Sequence, residues 1–134
     1  MQTFNVYPKK GEMFSLEFET FQLAENGFIL FNNAHQASKE GFISFDNVAA
    51  IIPEQQTGLK DMICFHVYLK DKSQPIEVFA SSFDIEQESS VTFLWQQTDI
   101  VGTIIKEDVL LGIYIAPSEV VAIMPSDGLL SYRR

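Results

Sequence analysis

Gly41-Phe42-Ile43-Ser44-Phe45-Asp46-Asn47-Val48-Ala49-Ala50-Ile51-Ile52-Pro53 decides the fold class of this chain. A short apolar run meets the polar pair Asp46-Asn47, and a second apolar run, Val48 to Ile52, ends at a proline. Short apolar runs bounded by turn residues read as strands, and Pro53 cannot donate to a continuing ladder. Working outward toward the N-terminus, Phe14, Leu16 and Phe18 alternate with Ser15, Glu17 and Glu19, the period-2 signature of a half-buried strand. Phe21 and Leu23 then fall out of phase by one residue, which predicts a bulge or strand break near Glu19-Thr20. Asn26-Gly27 reads as a turn, Phe28 to Phe31 as a strand, and residues 32–41 as a polar loop. Helical periodicity is almost absent, so the expected class is all-β.

The second half repeats this plan. Phe4, Val6, Tyr7 and Lys9 recur as Phe65, Val67, Tyr68 and Lys70, 61 residues on. Phe14, Leu16 and Phe18 correspond to Ile76, Val78 and Ala80, and the phase slip is copied, with Phe21 and Leu23 matching Phe83 and Ile85, all 62 residues on. Val48-Ala49-Ala50-Ile51-Ile52-Pro53 matches Val120-Val121-Ala122-Ile123-Met124-Pro125 at a spacing of 72, and Gly58-Leu59 then matches Gly128-Leu129. The wider spacing puts about ten extra residues in the second copy, between Trp95 and Gly112. Agreement in order, turns and phase slip argues for internal duplication, with units at 1–61 and 62–134. In the extra segment, 96–111, the apolar runs Ile100–Ile105 and Val109–Leu111 predict a hairpin turning around Lys106-Glu107-Asp108: a recognition arm, an oligomer contact, or a lengthened hairpin packed on its own unit.

Each unit holds about five strands. A domain this small buries only about 60% of its unfolded surface, and small strand-rich units remove their edges by closing into a barrel. Two tandem five-stranded barrels are therefore expected, with a short 3₁₀ turn joining the last two strands of each. The final strands, Val48–Ile52 and Val120–Met124, are apolar on both faces, which predicts burial on both sides.

The segments Gly41 to Pro53 and Gly112 to Pro125 resemble the last strands of Sm-like small β-barrels, including the bacterial Hfq type, and generic SH3-like barrels share the pattern. The resemblance covers about a fifth of the chain. It implies bent five-stranded barrels that assemble edge to edge into rings, and in that family an RNA site at the turn between the last two strands. That turn is basic or histidine-bearing in the family. Here it is Asp46-Asn47 in one copy and Pro117-Ser118-Glu119 in the other, and acidic side chains repel phosphate.

Charge and composition point the same way. The chain has 134 residues, 46% of them apolar, and a net charge of −9. The acidity belongs to both halves: residues 1–61 carry four basic and eight acidic groups, and residues 62–134 carry five and ten. Nucleic-acid binding ordinarily needs a basic face. The single cysteine, Cys64, forms no internal disulfide, and with His35 and His66 the chain is too poor in ligands for a structural zinc site unless carboxylates join. The N-terminus has no basic-then-apolar leader pattern, and no apolar stretch approaches the roughly 20 residues that span a bilayer. A cytoplasmic location follows as the expectation.

Chemistry-bearing residues are scattered. Lys9-Lys10 and Lys70-Asp71-Lys72 fall at equivalent hairpin tips, as phosphate contacts or, more simply, as solvated turn lysines that guard strand edges. Cys64 and His66 share one strand face and could share a metal, but the corresponding Thr3 and Asn5 are poor ligands and a structural role is the simpler reading. Ser81, Ser82 and Asp84 sit in no nucleophile motif, and the carboxylates Glu86, Glu88, Glu107 and Asp108 read as solvated surface. There is no glycine-rich phosphate loop. No catalytic residue, metal or cofactor is expected. The favoured function is a non-enzymatic assembly or protein-interaction module that associates through strand edges. Its contacts would come from Val48, Ala50, Ile52, Val120, Ala122 and Met124, and its strand-turn-strand motif from Asp46, Asn47, Ser118 and Glu119. An Sm-like RNA-binding protein is the alternative, disfavoured by charge. A single ten-stranded barrel around an apolar ligand is a third reading.

Overall fold

Alternating and apolar segments become strands throughout a computed structural model, which describes residues 2–23, 27–32, 41–56, 58–59, 62–85 and 90–126, with residues 32 and 45 described by backbone alone. The strands are β1 (Gln2–Pro8), β2 (Phe14–Phe18), β3 (Thr20–Leu23), β4 (Phe28–Asn32), β5 (Gly41–Ser44), β6 (Val48–Pro53), β7 (Ile63–Leu69), β8 (Ile76–Ala80), β9 (Ser82–Asp84), β10 (Thr92–Thr98), β11 (Ile104–Val109), β12 (Tyr114–Ile115) and β13 (Val120–Pro125). The 3₁₀ turns Phe45–Asn47 and Pro117–Glu119 join β5 to β6 and β12 to β13. The chain is all-β, as expected.

The strands lie in four small sheets ordered β12-β6-β1-β2, β3-β4-β5, β13-β7-β8 and β11-β10-β9. Every pairing is antiparallel. Closed barrels are not what the described residues form: each sheet remains open. The phase slip explains part of this. At Glu19 the chain leaves β2, which pairs with β1, and enters β3, which pairs with β4. At Ser81 it leaves β8, which pairs with β7, and enters β9, which pairs with β10. One residue of slip turns the apolar side chains to a new face, so the strand changes sheet to keep them inside.

Matching positions in the two halves make matching contacts. Val6 stands opposite Phe14 and Ile51, while Val67 stands opposite Ile76 and Ile123. Both long pairings shift register near the start of the final strand, between Tyr7 and Pro8 in one and between Val120 and Ala122 in the other. The Lys9 amide donates to the Asn47 carbonyl at 3.0 Å, and the Lys70 amide donates to the Glu119 carbonyl at 2.9 Å, so each 3₁₀ turn is fastened to the end of its unit's first strand. The Glu54 amide donates to Thr3 and the Ser126 amide to Cys64, which fastens the far ends of the same pairs.

Two apolar cores result. One gathers Phe4, Val6, Ile29, Phe31, Val48 and Ile51, and the other gathers Phe65, Val67, Ile76, Val78, Val91 and Phe93. Each centres on three aromatic rings. Phe4 meets Phe21 edge-on at 5.3 Å between centroids, and Phe65 meets Phe83 edge-on at the same distance. Phe31 and Phe93 complete the triads. Edge-to-face packing suits the ring quadrupole, and burying each such side chain stabilises by about 1.5–3 kcal/mol.

The extra segment departs from expectation. Its hairpin is β10 with β11, and the turn falls at residues 99–103, leaving Lys106, Glu107 and Asp108 inside β11. Asp99 sets that turn: its Oδ1 accepts from the amides of Val101 and Thr103, and Gly102 takes the positive φ of 88°. A side chain that caps its own turn outweighs the weaker turn signal of a charged triplet in a β-branched run.

Candidate interaction surface

Strand β6 is where the two halves meet. Its N-terminal neighbour in the sheet is β1 of the same half, and its other edge is taken by β12 from the second half. Tyr114 stands opposite Ile51 and Ile115 opposite Ala50, and the Ala116 amide donates to the Ala49 carbonyl at 2.9 Å. Alternation then divides the side chains. Tyr114 and Ala116 enter the first core beside Val48 and Ile51, while Ile115 enters the second core with Ala49, Ala50 and Ile52. Five successive residues of β6 are buried, so the expectation of burial on both faces holds here. Burial raises the Tyr114 phenol to about 12, with the Asp46 carboxylate adding to the rise, and burial also raises Tyr7.

Strand β13 carries nearly the same sequence and a different environment. It pairs with β7 on one side and, among the described residues, with nothing on the other. Val121 is 66% exposed where Ala49 is 1% exposed, and Met124 is 57% exposed where Ile52 is 5% exposed. The expected double burial of Val120–Met124 is therefore not found. The physical reason is that a face is buried by what packs on it: Ala49, Ala50 and Ile52 of β6 lie against the second core, whereas Val121 and Met124 of β13 stay exposed. Beside β13 runs an apolar groove of about 410 Å³, lined by Phe83, Ile85, Val91, Pro117 and residues 120–123. Of the six expected contact residues, Val48, Ala50 and Ile52 lie inside the molecule, while Val120, Ala122 and Met124 lie along this partly open face.

The strand-turn-strand residues sit near the ends of these strands. Asp46, Asn47 and Ser118 are exposed and Glu119 is half-buried. No basic residue occupies either turn. The hairpin lysines are not equivalent in use: Lys72 Nζ donates to the Gly11 carbonyl at 3.1 Å, which ties the β7–β8 tip to the β1–β2 tip.

The remaining candidates are structural or solvated. Cys64 and His66 share the half-buried face of β7, opposite buried Phe65 and Val67. Both approach one carboxylate, with Cys64 Sγ 3.8 Å from Glu77 Oε2 and His66 Nε2 3.9 Å from Glu77 Oε1. Among the described residues no group of three or more His, Cys, Asp or Glu is placed to hold a metal. Ser81 Oγ accepts from the Gln96 amide at 2.9 Å and so helps hold β10. On the β10–β11 arm, Gln96 Nε2 donates to Glu107 at 2.7 Å, Lys106 Nζ lies 3.7 Å from Asp108, and Lys106 also stands over the Trp95 ring. All of β11 is exposed, as are Ile100 and Val101 at the arm's tip, so β11 and the tip lie off the core, while Phe93 of β10 and Leu110 hold the arm's base against it. His35, Lys39, Lys60, Glu86, Glu88, Gly128-Leu129, Arg133 and Arg134 lie outside the described residues. No helix among the described residues is long and apolar enough to cross a membrane.

Three features of the surface escape a reading of single strands. The groove depends on Phe83 and Ile85 lying beside β13. Phe42 on β5 is 65% exposed despite its apolar neighbours. Tyr114 crosses from one half into the core of the other. The one available signal was the 72-residue correspondence, which sets Phe42 against Tyr114. In comparisons with known proteins, the chain matches no family model, no curated protein and no solved structure.

Proposed function

We propose that this chain is a non-enzymatic assembly module, built from two Sm-like or SH3-like units related by duplication, that associates with its own copies or another protein through β-strand edges. The observation that carries this reading is the contrast between β6 and β13. The molecule already holds its halves together by adding one strand to the edge of another, and among the described residues it leaves a second apolar edge of nearly the same sequence open. Strand addition supplies main-chain hydrogen bonds for affinity and alternate side chains for specificity. The duplication is supported by the repeated registers, the paired fastening hydrogen bonds and the two aromatic triads. A cytoplasmic setting accords with the single cysteine.

The test is the mass of the purified chain in solution, by light scattering from 1 to about 100 μM. Concentration-dependent growth beyond 15.2 kDa supports assembly between copies. A strict monomer that also retains no partner in a chemical cross-linking experiment on its native extract overturns the reading.

A further inference from the structure

We infer that the cleft between the two halves is a binding site for an alkylammonium group. The site stands apart from assembly and uses a different surface. The cleft has a volume of about 540 Å³ and lies between β1 and the end of β6 in the first half and β8 in the second. That volume falls within the roughly 300–1,000 Å³ of small-molecule sites. Asn5, Tyr7, Glu54, Gln56, Glu77 and Phe79 line it.

Local structure sets these side chains. Asn5 and Tyr7 alternate on β1 with buried Phe4 and Val6, so both turn to the strand's other face. Glu77 and Phe79 alternate in the same way on β8 with buried Ile76, Val78 and Ala80. The segment that follows β6 is tied to both halves. The Glu54 amide donates to the Thr3 carbonyl at 2.8 Å. Gln56 Nε2 donates to the Glu77 carbonyl at 2.8 Å, and the Phe79 amide donates to Gln56 Oε1 at 3.1 Å. One carboxamide thus satisfies two backbone groups of β8 on the edge where, among the described residues, no strand pairs. The lining is therefore held in place before any ligand arrives.

The chemistry of the lining selects the ligand. Glu54 and Glu77 are exposed carboxylates, and no Lys or Arg among the described residues lines the cleft, so an anion is repelled. The net charge of −9 draws cations toward it. A bare metal ion lacks ligands here, because no group of three or more His, Cys, Asp or Glu among the described residues is placed to hold one. Tyr7 and Phe79 add aromatic rings, whose faces attract an ammonium group and whose apolar surface receives its alkyl chain. The ammonium belongs either to a free small amine or to a lysine side chain of another protein, and the two are separable by experiment.

The full-length protein, labelled with nitrogen-15, is titrated with n-butylammonium, with the blocked peptide Gly-Lys-Gly, and with n-butanol as the uncharged control. Each is taken to about 50 mM at low ionic strength, where screening is weak. The signals followed are the Phe79 amide and the Gln56 side-chain amide. The expected result is saturable shifts with both ammonium ligands and none with butanol. Glu54→Gln and Glu77→Gln, at exposed positions where circular dichroism should confirm an unchanged fold, each weaken binding about two- to fivefold, and together about tenfold. Glu107→Gln, on the β10–β11 arm outside the cleft, binds as the wild type does. A peptide that binds at least as tightly as butylammonium identifies a lysine side chain as the occupant, and a weaker peptide identifies a free amine. The inference is overturned if butylammonium gives no saturable shift, if butanol binds equally well, or if the double variant binds as tightly as the wild type. Each of those results leaves assembly through strand edges standing, and a strict monomer that binds butylammonium leaves this site standing.

Discussion

Replacing Ile52 and Met124 by alanine, one at a time, tests whether near-identical strands differ as much in energy as in environment. Ile52 is 5% exposed within a core that also holds Ala49, Ala50 and Ile115. Truncating a buried isoleucine to alanine loses its transfer energy and leaves a cavity, a cost of about 2–5 kcal/mol. Met124 is 57% exposed, so less than half of its surface is removed from water, and truncation there opens no closed cavity. Scaling the same range by the buried fraction gives about 1–2 kcal/mol. Urea unfolding followed by tryptophan fluorescence, from the single Trp95, reads the difference. With a urea slope of about 1.5 kcal/mol per M, the midpoint falls by about 2 M for Ile52→Ala and by about 1 M for Met124→Ala. Protein is kept below 1 μM so that contacts between copies do not cover Met124. Equal losses at the two positions would refute the reasoning, because they would mean that β13 is as enclosed as β6. A changed slope would instead show that the variant had altered more than stability.

Two other perturbations probe the joint between the halves. The Tyr114 phenol is raised to about 12 by burial and by the Asp46 carboxylate. Since the unfolded phenol ionises near 10, the unfolded chain binds fewer protons between pH 10 and 12; the stabilisation is complete below pH 10 and is lost as pH rises through about 12. The melting temperature of the wild type should therefore fall across that window more steeply than that of Tyr114→Phe, and parallel curves would contradict the burial of the phenol. Gly112 precedes β12 with φ at 81°, and a Cβ there would lie 3.5 Å from the Phe4 ring. Left-handed backbone costs an L-residue about 1–2 kcal/mol, so Gly112→Ala should lower the melting temperature by several degrees, whereas an unchanged value would show that this turn is not required.

Much of the fold was legible because strand formation is local. Alternation at Phe14, Leu16 and Phe18, the slip at Phe21, and the polar breaks at Asp46-Asn47 and Ser118-Glu119 act on neighbours in the chain, and each has its counterpart in the strands observed. The arm was legible as a hairpin but not in its turn, since the capping role of Asp99 competed with a charged triplet that reads as a turn. The site was less legible. Val48, Ala50 and Ile52 have the composition of contact residues because they already are contact residues, used within the molecule. Phe42 and the Phe83–Ile123 groove emerge only when strands distant in sequence are set side by side.

Val48-Ala49-Ala50-Ile51-Ile52-Pro53 and Val120-Val121-Ala122-Ile123-Met124-Pro125 mark the boundary between the two kinds of information. Their composition by itself determined that both are strands, apolar on both faces, ended by proline and preceded by a short turn. The tertiary structure alone decided that one would be enclosed and the other left open. A strand's side-chain facing follows from its own backbone, but burial belongs to whatever packs on its faces, and among the described residues the second core lies against β6 while Val121 and Met124 of β13 stay exposed.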